Sequence, residues 1–157
     1  MQADLHYFEN NVSGDFMFKK IIFITILFLI SLSCVNAEDG DTIKLSVNNH
    51  DFDVKLENNS ATNELVKKLH EGNITIEAKE YGGFEKVGDL GFSLPANDEQ
   101  MSTSPGDIVL YQSNQISLFY GGHSWSYTKI GKIQSDNLND LKSILGSGNV
   151  NMVLSLK

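Results

Sequence analysis

The segment GHSWS, residues 122–126, places a histidine beside a serine and so raises the question of nucleophilic chemistry. A nucleophile elbow of the G-x-S-x-G type needs glycine two residues after the serine, to allow a sharp turn from strand to helix. Ser126 occupies that position here. His123 is also a poor base for Ser124, because adjacent side chains of an extended chain point to opposite faces. The segment therefore predicts a polar loop, at one end of the β-barrel that the strands described below predict.

The remaining histidines do not form a metal-binding pattern. His50, His70 and His123 are far apart in the chain, without H-x-H or H-x-x-x-H spacing and without a cysteine beyond Cys34. Zinc sites use such closely spaced ligands. We therefore expect neither a metal site nor a cofactor.

The aromatic residues admit a structural and a functional interpretation. On alternating strands about half of them must face the core, which is the default role for each. Trp125 follows two glycines and is predicted to lie in a loop, exposed at a barrel mouth, where it would suit a peptide or a small apolar ligand. The residues predicted to line such a groove are Phe84, Phe92, Tyr111, Phe119 and Trp125, with Gln112 and His123 as polar contacts.

Charge limits the classes of partner. The formal net charge is −8, and all 12 basic residues are lysines. Nucleic-acid binding needs clustered cations, and the chain has no such cluster beyond Lys19 and Lys20. The absence of arginine also excludes any planar, bidentate guanidinium contact.

The N-terminal region indicates export. Residues 1–16 lack a periodic pattern and are expected to be a spurious or disordered extension, with Met17 as the true start. Residues 17–37 resemble a signal peptide, with a basic start, an apolar run and small residues. Cleavage could follow Ala37, or Cys34 could be lipidated after a lipoprotein-type box. A lipid anchor or an uncleaved signal would be the sole membrane attachment, and the folded domain is predicted to span 38–157.

Apolar and polar residues alternate over 42–47, 51–57 and 73–81, which predicts strands, the first two joined by a turn at Asn48 and Asn49. Further strands are predicted over 107–112, 115–121, 126–133 and 149–156. Ser60 or Thr62 is predicted to cap a helix that stops at Gly72, and a second short helix to lie within 136–146.

These elements predict a mainly β fold, a closed antiparallel barrel with two short helices. Residues 82–106 are rich in glycine and serine and are predicted to form a long loop, of the kind that is usually functional or mobile. The predicted barrel core comprises Phe52, Val54, Leu56, Ile74, Ile76, Val109, Ile116, Leu118, Ile130 and Val153.

Four segments resemble bacterial proteins of the cyclophilin-like fold: FDVKLENNSATNELVKKL, GDIVLYQSNQISLFYG, SWSYTKIGKI and LKSILGSGNVNMVLSLK. The resemblance implies a cyclophilin-type β-barrel with helices over its open ends, and it implies no activity. Cyclophilins place an arginine near the prolyl amide, and this chain has none, although Lys86 or Lys129 could supply a positive charge. The sequence thus favours a non-catalytic binding module, with an extracytoplasmic prolyl isomerase and a structural envelope protein as alternatives.

Overall fold

The computed structural model describes residues 41–157, so the predictions for the extension 1–16, the signal peptide 17–37 and Cys34 lie outside the described residues. The strands are β1 Thr42–Val47, β2 His50–Leu56, β3 Ile74–Tyr81, β4 Glu85–Asp89, β5 Glu99–Ser102, β6 Asp107–Tyr111, β7 Gln115–Phe119, β8 Ser124–Ile133 and β9 Val150–Leu156. The helices are α1 Ser60–Glu71 and α2 Leu141–Leu145.

All strands except β5 close into an antiparallel barrel in the order β2, β1, β9, β3, β4, β7, β6 and β8. Pairing of β2 with β8 completes the closure, with Leu56 opposite Gly131. The two backbones approach so closely there that a Cβ atom on Gly131 would lie 2.4 Å from the Lys55 carbonyl oxygen. The predicted mainly β fold with a closed barrel and two short helices is confirmed.

The predicted long loop over 82–106 is wrong, because it contains two strands. β4 pairs with both β3 and β7, and β5 pairs with the first residues of β8. Trp125 and Ser124 consequently lie in β8 and not in a loop. The charged residues and glycine of β4 have low strand propensity, so the strand depends on its two neighbours along the sheet.

The barrel interior contains the main hydrophobic core. Its largest fully buried apolar side chains include, on strands from β1 to β8, Leu45, Ile76, Leu110, Ile116, Leu118 and Ile130. Most of the predicted core residues are buried, and two differ. Val153 is half-buried, because Met152 and Leu154 are the inward residues of β9. Phe52 is also half-buried and packs against the edge of the core.

The N-terminus of α1 is capped by Asn59, so the prediction of Ser60 or Thr62 as the cap is wrong. The Asn59 side chain accepts a hydrogen bond from the Thr62 backbone at 3.0 Å, and the Thr62 hydroxyl accepts one from the Asn59 backbone at 3.2 Å. Asn59 Nδ2 also donates to the Lys129 carbonyl of β8 at 2.7 Å. Asparagine therefore caps the helix and fastens it to the barrel. Gly72 ends the helix as predicted.

A second, smaller cluster lies on the outer face of the barrel. Val109, Phe119 and Tyr127 are buried there, with Phe84, Met101 and Tyr111 packed against them. Val109 is buried as predicted, although it belongs to this cluster and not to the barrel core. Strand β6 is covered on both faces, which explains why its sequence shows no clear alternation. Across residues 41–157 no helix is long and apolar enough to cross a membrane.

Candidate functional site

Strand register brings a set of polar and aromatic side chains together on the outer face. Glu85 of β4 lies opposite Tyr81 of β3 and opposite Phe119 of β7. Alternate residues of a strand share a face, so Val87 lies on the same side as Glu85. Its partner on β7 is Ser117. The sheet therefore converges side chains from strands that are distant in the sequence.

These side chains surround a pocket of about 330 Å³, which we call the aromatic pocket. Its volume is at the lower end of the range for small-molecule sites, about 300–1,000 Å³. The residues that line the aromatic pocket are Tyr81, Glu85, Val87, Tyr111, Gln115, Ser117, His123, Trp125 and Tyr127.

Aromatic side chains form much of the pocket wall. Tyr81 is 61% exposed and Trp125 is 55% exposed, and these are the exposed large hydrophobic residues of the described part of the chain. Tyr111 and Tyr127 meet edge to face, with ring centroids 6.0 Å apart. A solvated indole and phenol beside a concave surface offer apolar area that a ligand could cover.

Glu85 is the one acidic residue among the pocket-lining side chains. Glu85 is 6% exposed, and its Oε2 atom is buried with no hydrogen-bond partner among the described residues. Burial raises the pKa of Glu85, while the Ser117 hydroxyl and the His123 imidazole oppose that shift. Burial, together with the negative charge of Glu85, also raises the pKa of Tyr127 to about 12. Glu85 therefore gives the pocket a polar floor, on which one carboxylate oxygen lacks a hydrogen bond.

His123 is held against the pocket by backbone and ring contacts. Its backbone N–H donates to the Thr103 hydroxyl at 3.0 Å, and its carbonyl accepts from the Thr103 N–H at 2.8 Å. The imidazole stacks on Phe84 with ring centroids 4.6 Å apart. The imidazole is thereby oriented, and no serine hydroxyl is placed as its catalytic partner by these contacts.

The predicted ligand-binding residues divide into three groups. Tyr111, His123 and Trp125 line the aromatic pocket. Phe84 lies behind His123, and Phe119 is fully buried beneath the pocket, so neither forms its surface.

The other two predicted residues lie apart from the pocket lining. Gln112 is exposed in the β6–β7 turn and donates to the Tyr111 hydroxyl at 3.2 Å, which places it next to a wall residue. Phe92 packs against the barrel core, with the Lys68 ammonium 6.0 Å from its ring centroid. Phe92 is therefore not brought together with the others.

Glu85, Ser117, Gln115 and Tyr81 also line the pocket, and they are not among the site residues predicted from the sequence. Residues 82–106 were predicted to be a loop, so Glu85 and Val87 were not expected to share one face of a strand. The available signal was the pair of charged residues in FEKVG, residues 84–88, between glycines and ahead of a strand meander. Val87 of β4 pairs with Ser117 of β7, which lies 30 residues later in the chain. No short sequence pattern predicts a pairing over that distance.

Neither lysine considered as an arginine substitute lines the aromatic pocket. Lys86 is fully buried, and its ammonium contacts Glu80 at 2.6 Å and the Gly148 carbonyl at 2.7 Å. Lys129 pairs with Glu57 at 3.1 Å. Within residues 41–157 no group of three histidine, cysteine, aspartate or glutamate side chains could hold a metal ion.

Comparison with known proteins agrees with the barrel geometry. The model of the Cyclophilin-like family matches residues 45–156, which covers almost all of the described chain. No curated protein and no solved structure matches the sequence. Because the family match spans the barrel from β1 to β9, this chain belongs to the cyclophilin-like family.

Proposed function

We propose that this protein is a non-catalytic binding module that holds a small, largely apolar ligand, or one side chain of a peptide, in the aromatic pocket. The observation that carries the proposal is the exposure of Trp125 and Tyr81 beside a concave site. Large exposed aromatic residues next to a pocket are typical of binding surfaces. Covering half of each side chain would supply much of the driving force for binding.

Rigid support for the pocket favours the same function. Phe119 lies under it, its ring contacts Phe84 and Tyr127, and Met101 packs against the same cluster. A site built on strands and backed by packed side chains holds its walls in place before the ligand arrives, which lowers the entropy lost on binding.

Trp125→Ala is expected to weaken binding about tenfold, because the variant loses one aromatic wall. Ligand-observed NMR with aromatic fragments measures this, since it does not need the indole. Phe92→Ala is the matched control: it removes an aromatic residue outside the pocket and should leave affinity unchanged. Equal loss of affinity in both variants, or none in Trp125→Ala, would place the site elsewhere.

Prolyl isomerisation is the competing function, and we expect the purified protein not to accelerate it. Catalysis requires groups that stabilise the twisted amide better than the planar one. The chain has no arginine, and Lys86 and Lys129 are committed to Glu80 and Glu57. A proline-peptide isomerisation assay decides the point. The proposed binding role would be wrong, and a catalytic role right, if the protein accelerated isomerisation with the efficiency of an enzyme and if Glu85→Gln or Trp125→Ala abolished that activity.

The proposal includes export of the domain, supported by the basic and apolar run from Met17 to Ala37. A ligand outside the cytoplasm, or a peptide segment of an envelope protein, would then be the relevant partner. Cell fractionation with an antibody to the domain tests the location.

A further inference from the structure

We infer that the ligand of the aromatic pocket carries a protonated amine, recognised by the Glu85 carboxylate and by the surrounding aromatic rings. The inference rests on the proposed function, because it specifies the chemistry of the same site. It depends on the buried, unpartnered oxygen of Glu85 and on the composition of the pocket wall.

The unpartnered Oε2 oxygen of Glu85 is the first observation. A buried polar atom left without a hydrogen bond is unfavourable, and a buried carboxylate more so. Glu85 lines the pocket, and its Oε2 has no partner among the described residues. A ligand that brings a donor group to the Glu85 carboxylate would offset the cost of its burial, and a charged donor would form the stronger hydrogen bond.

The charge of the pocket lining is the second observation. No lysine lines the pocket, and His123 is the one basic side chain among its lining residues. The nearest buried lysine, Lys86, belongs to the opposite face of β4 and pairs with Glu80. Ionised Glu85 would repel an anionic ligand. A cationic ligand would instead stabilise the ionised form of Glu85, which burial alone disfavours.

The aromatic rings are the third observation. Tyr81, Tyr111, Trp125 and Tyr127 all line the same pocket as Glu85. The faces of such rings attract ammonium groups, and desolvation strengthens this attraction. A carboxylate at the floor and several aromatic residues in the wall together favour an ammonium group attached to an apolar body. The pocket volume of about 330 Å³ suits a small amine or the end of one basic side chain.

A matched pair of probes tests the inference with the intact protein. Phenethylamine and 2-phenylethanol have the same ring and chain and differ in the terminal group, ammonium or hydroxyl. Trp125 is the single tryptophan, so its fluorescence reports both titrations. We expect phenethylamine to bind about tenfold more tightly, because its ammonium group brings a positive charge to the carboxylate and to the aromatic rings, whereas the hydroxyl brings none.

Glu85→Gln should remove this preference, since glutamine keeps the shape of the side chain and loses its negative charge. Glu71→Gln, at an exposed glutamate on α1, is the control for the change in net charge. It should leave the preference intact.

The outcomes separate the inference from the proposed function. Equal affinity of the two probes for the unaltered protein, or a preference that survives in folded Glu85→Gln, would overturn the amine inference while the pocket remains a binding site. Binding of neither probe would overturn both. The comparison in the unaltered protein needs no variant, so it decides the question even if Glu85→Gln does not fold.

Discussion

Replacing Lys86 with methionine is expected to lower the free energy of unfolding by about 2–4 kcal/mol, because two backbone carbonyls and the partly exposed Glu80 carboxylate lose a charged donor. The Lys86 side chain is fully buried inside the barrel. Its ammonium donates to the carbonyls of Gly146 and Gly148 at 2.9 and 2.7 Å, and it pairs with Glu80 at 2.6 Å. Methionine fills a similar volume and leaves all three acceptors without their donor.

This lysine fastens the turn after α2 to the barrel. Gly146 and Gly148 have φ values of 65° and 86°, which glycine adopts readily, and their carbonyls both accept from Lys86. The Tyr120 hydroxyl donates to the other oxygen of Glu80. The network therefore joins β3, β4 and the segment that leads into β9.

Urea denaturation of the two proteins measures the effect, with Lys67→Met as the control. Lys67 is exposed and pairs with Glu64 on the surface of α1 at 2.9 Å, so its replacement should change stability by less than about 0.5 kcal/mol. A loss below about 1 kcal/mol for Lys86→Met would show that the buried contacts are not made.

The effect of Lys86→Met should also depend on pH. Hydrogen bonds from Lys86 and Tyr120 lower the pKa of Glu80 from its usual value of 4.5. A pKa that is lower in the folded than in the unfolded protein contributes stability at pH values above the unfolded-state pKa. This contribution is lost as the pH falls through the folded-state pKa. The difference between the two proteins should therefore narrow in acid, without vanishing, because the carbonyl contacts of Lys86 do not titrate.

Phe119→Ala is expected to destabilise the protein by about 3–5 kcal/mol, as is usual for removing a buried phenylalanine ring. Phe119 is fully buried beneath the aromatic pocket. Its ring stacks on Phe84 with centroids 6.2 Å apart and meets Tyr127 edge to face at 5.7 Å. Alanine would leave a cavity between these rings and withdraw support from the pocket wall.

Thermal and urea unfolding of Phe119→Ala measure this loss, and Tyr81→Ala provides the comparison. Tyr81 is 61% exposed, so its removal should change stability by about 0.5 kcal/mol or less. Similar effects of the two substitutions would mean that the outer cluster around Phe119 is not packed as a second core.

The sequence predicted those parts of the fold that local chemistry determines. Asn48 and Asn49 adopt φ values of 48° and 63°, the left-handed conformation that a tight hairpin turn requires and that asparagine tolerates. Gly72 ends α1 with φ 154° and ψ 172°, an extended conformation with positive φ that is open essentially to glycine alone. These signals lie within a few residues of the features they determine, so one sequence is enough to find them.

The aromatic pocket could be predicted only in part, because its members meet through long-range pairing. Tyr111, His123 and Trp125 were predicted from residue type alone. Glu85 belongs to a strand whose neighbouring charges argue against β structure, and its position depends on register with β3 and β7. Val153 is a different case, because the sequence of β9 already carries the signal. Val150, Met152, Leu154 and Leu156 form a wholly apolar alternate set, whereas Val153 alternates with Asn151 and Ser155, so the pattern itself places Val153 on the outer face.

A crystal structure of the protein with phenethylamine would test the central claim most directly, that the aromatic pocket with Glu85 at its floor is the binding site. We predict the ligand ring between Tyr81 and Trp125, with the ammonium nitrogen about 2.7–3.2 Å from a Glu85 carboxylate oxygen. A ligand bound elsewhere on the barrel, or in the pocket with its ammonium group turned away from Glu85, would contradict the account.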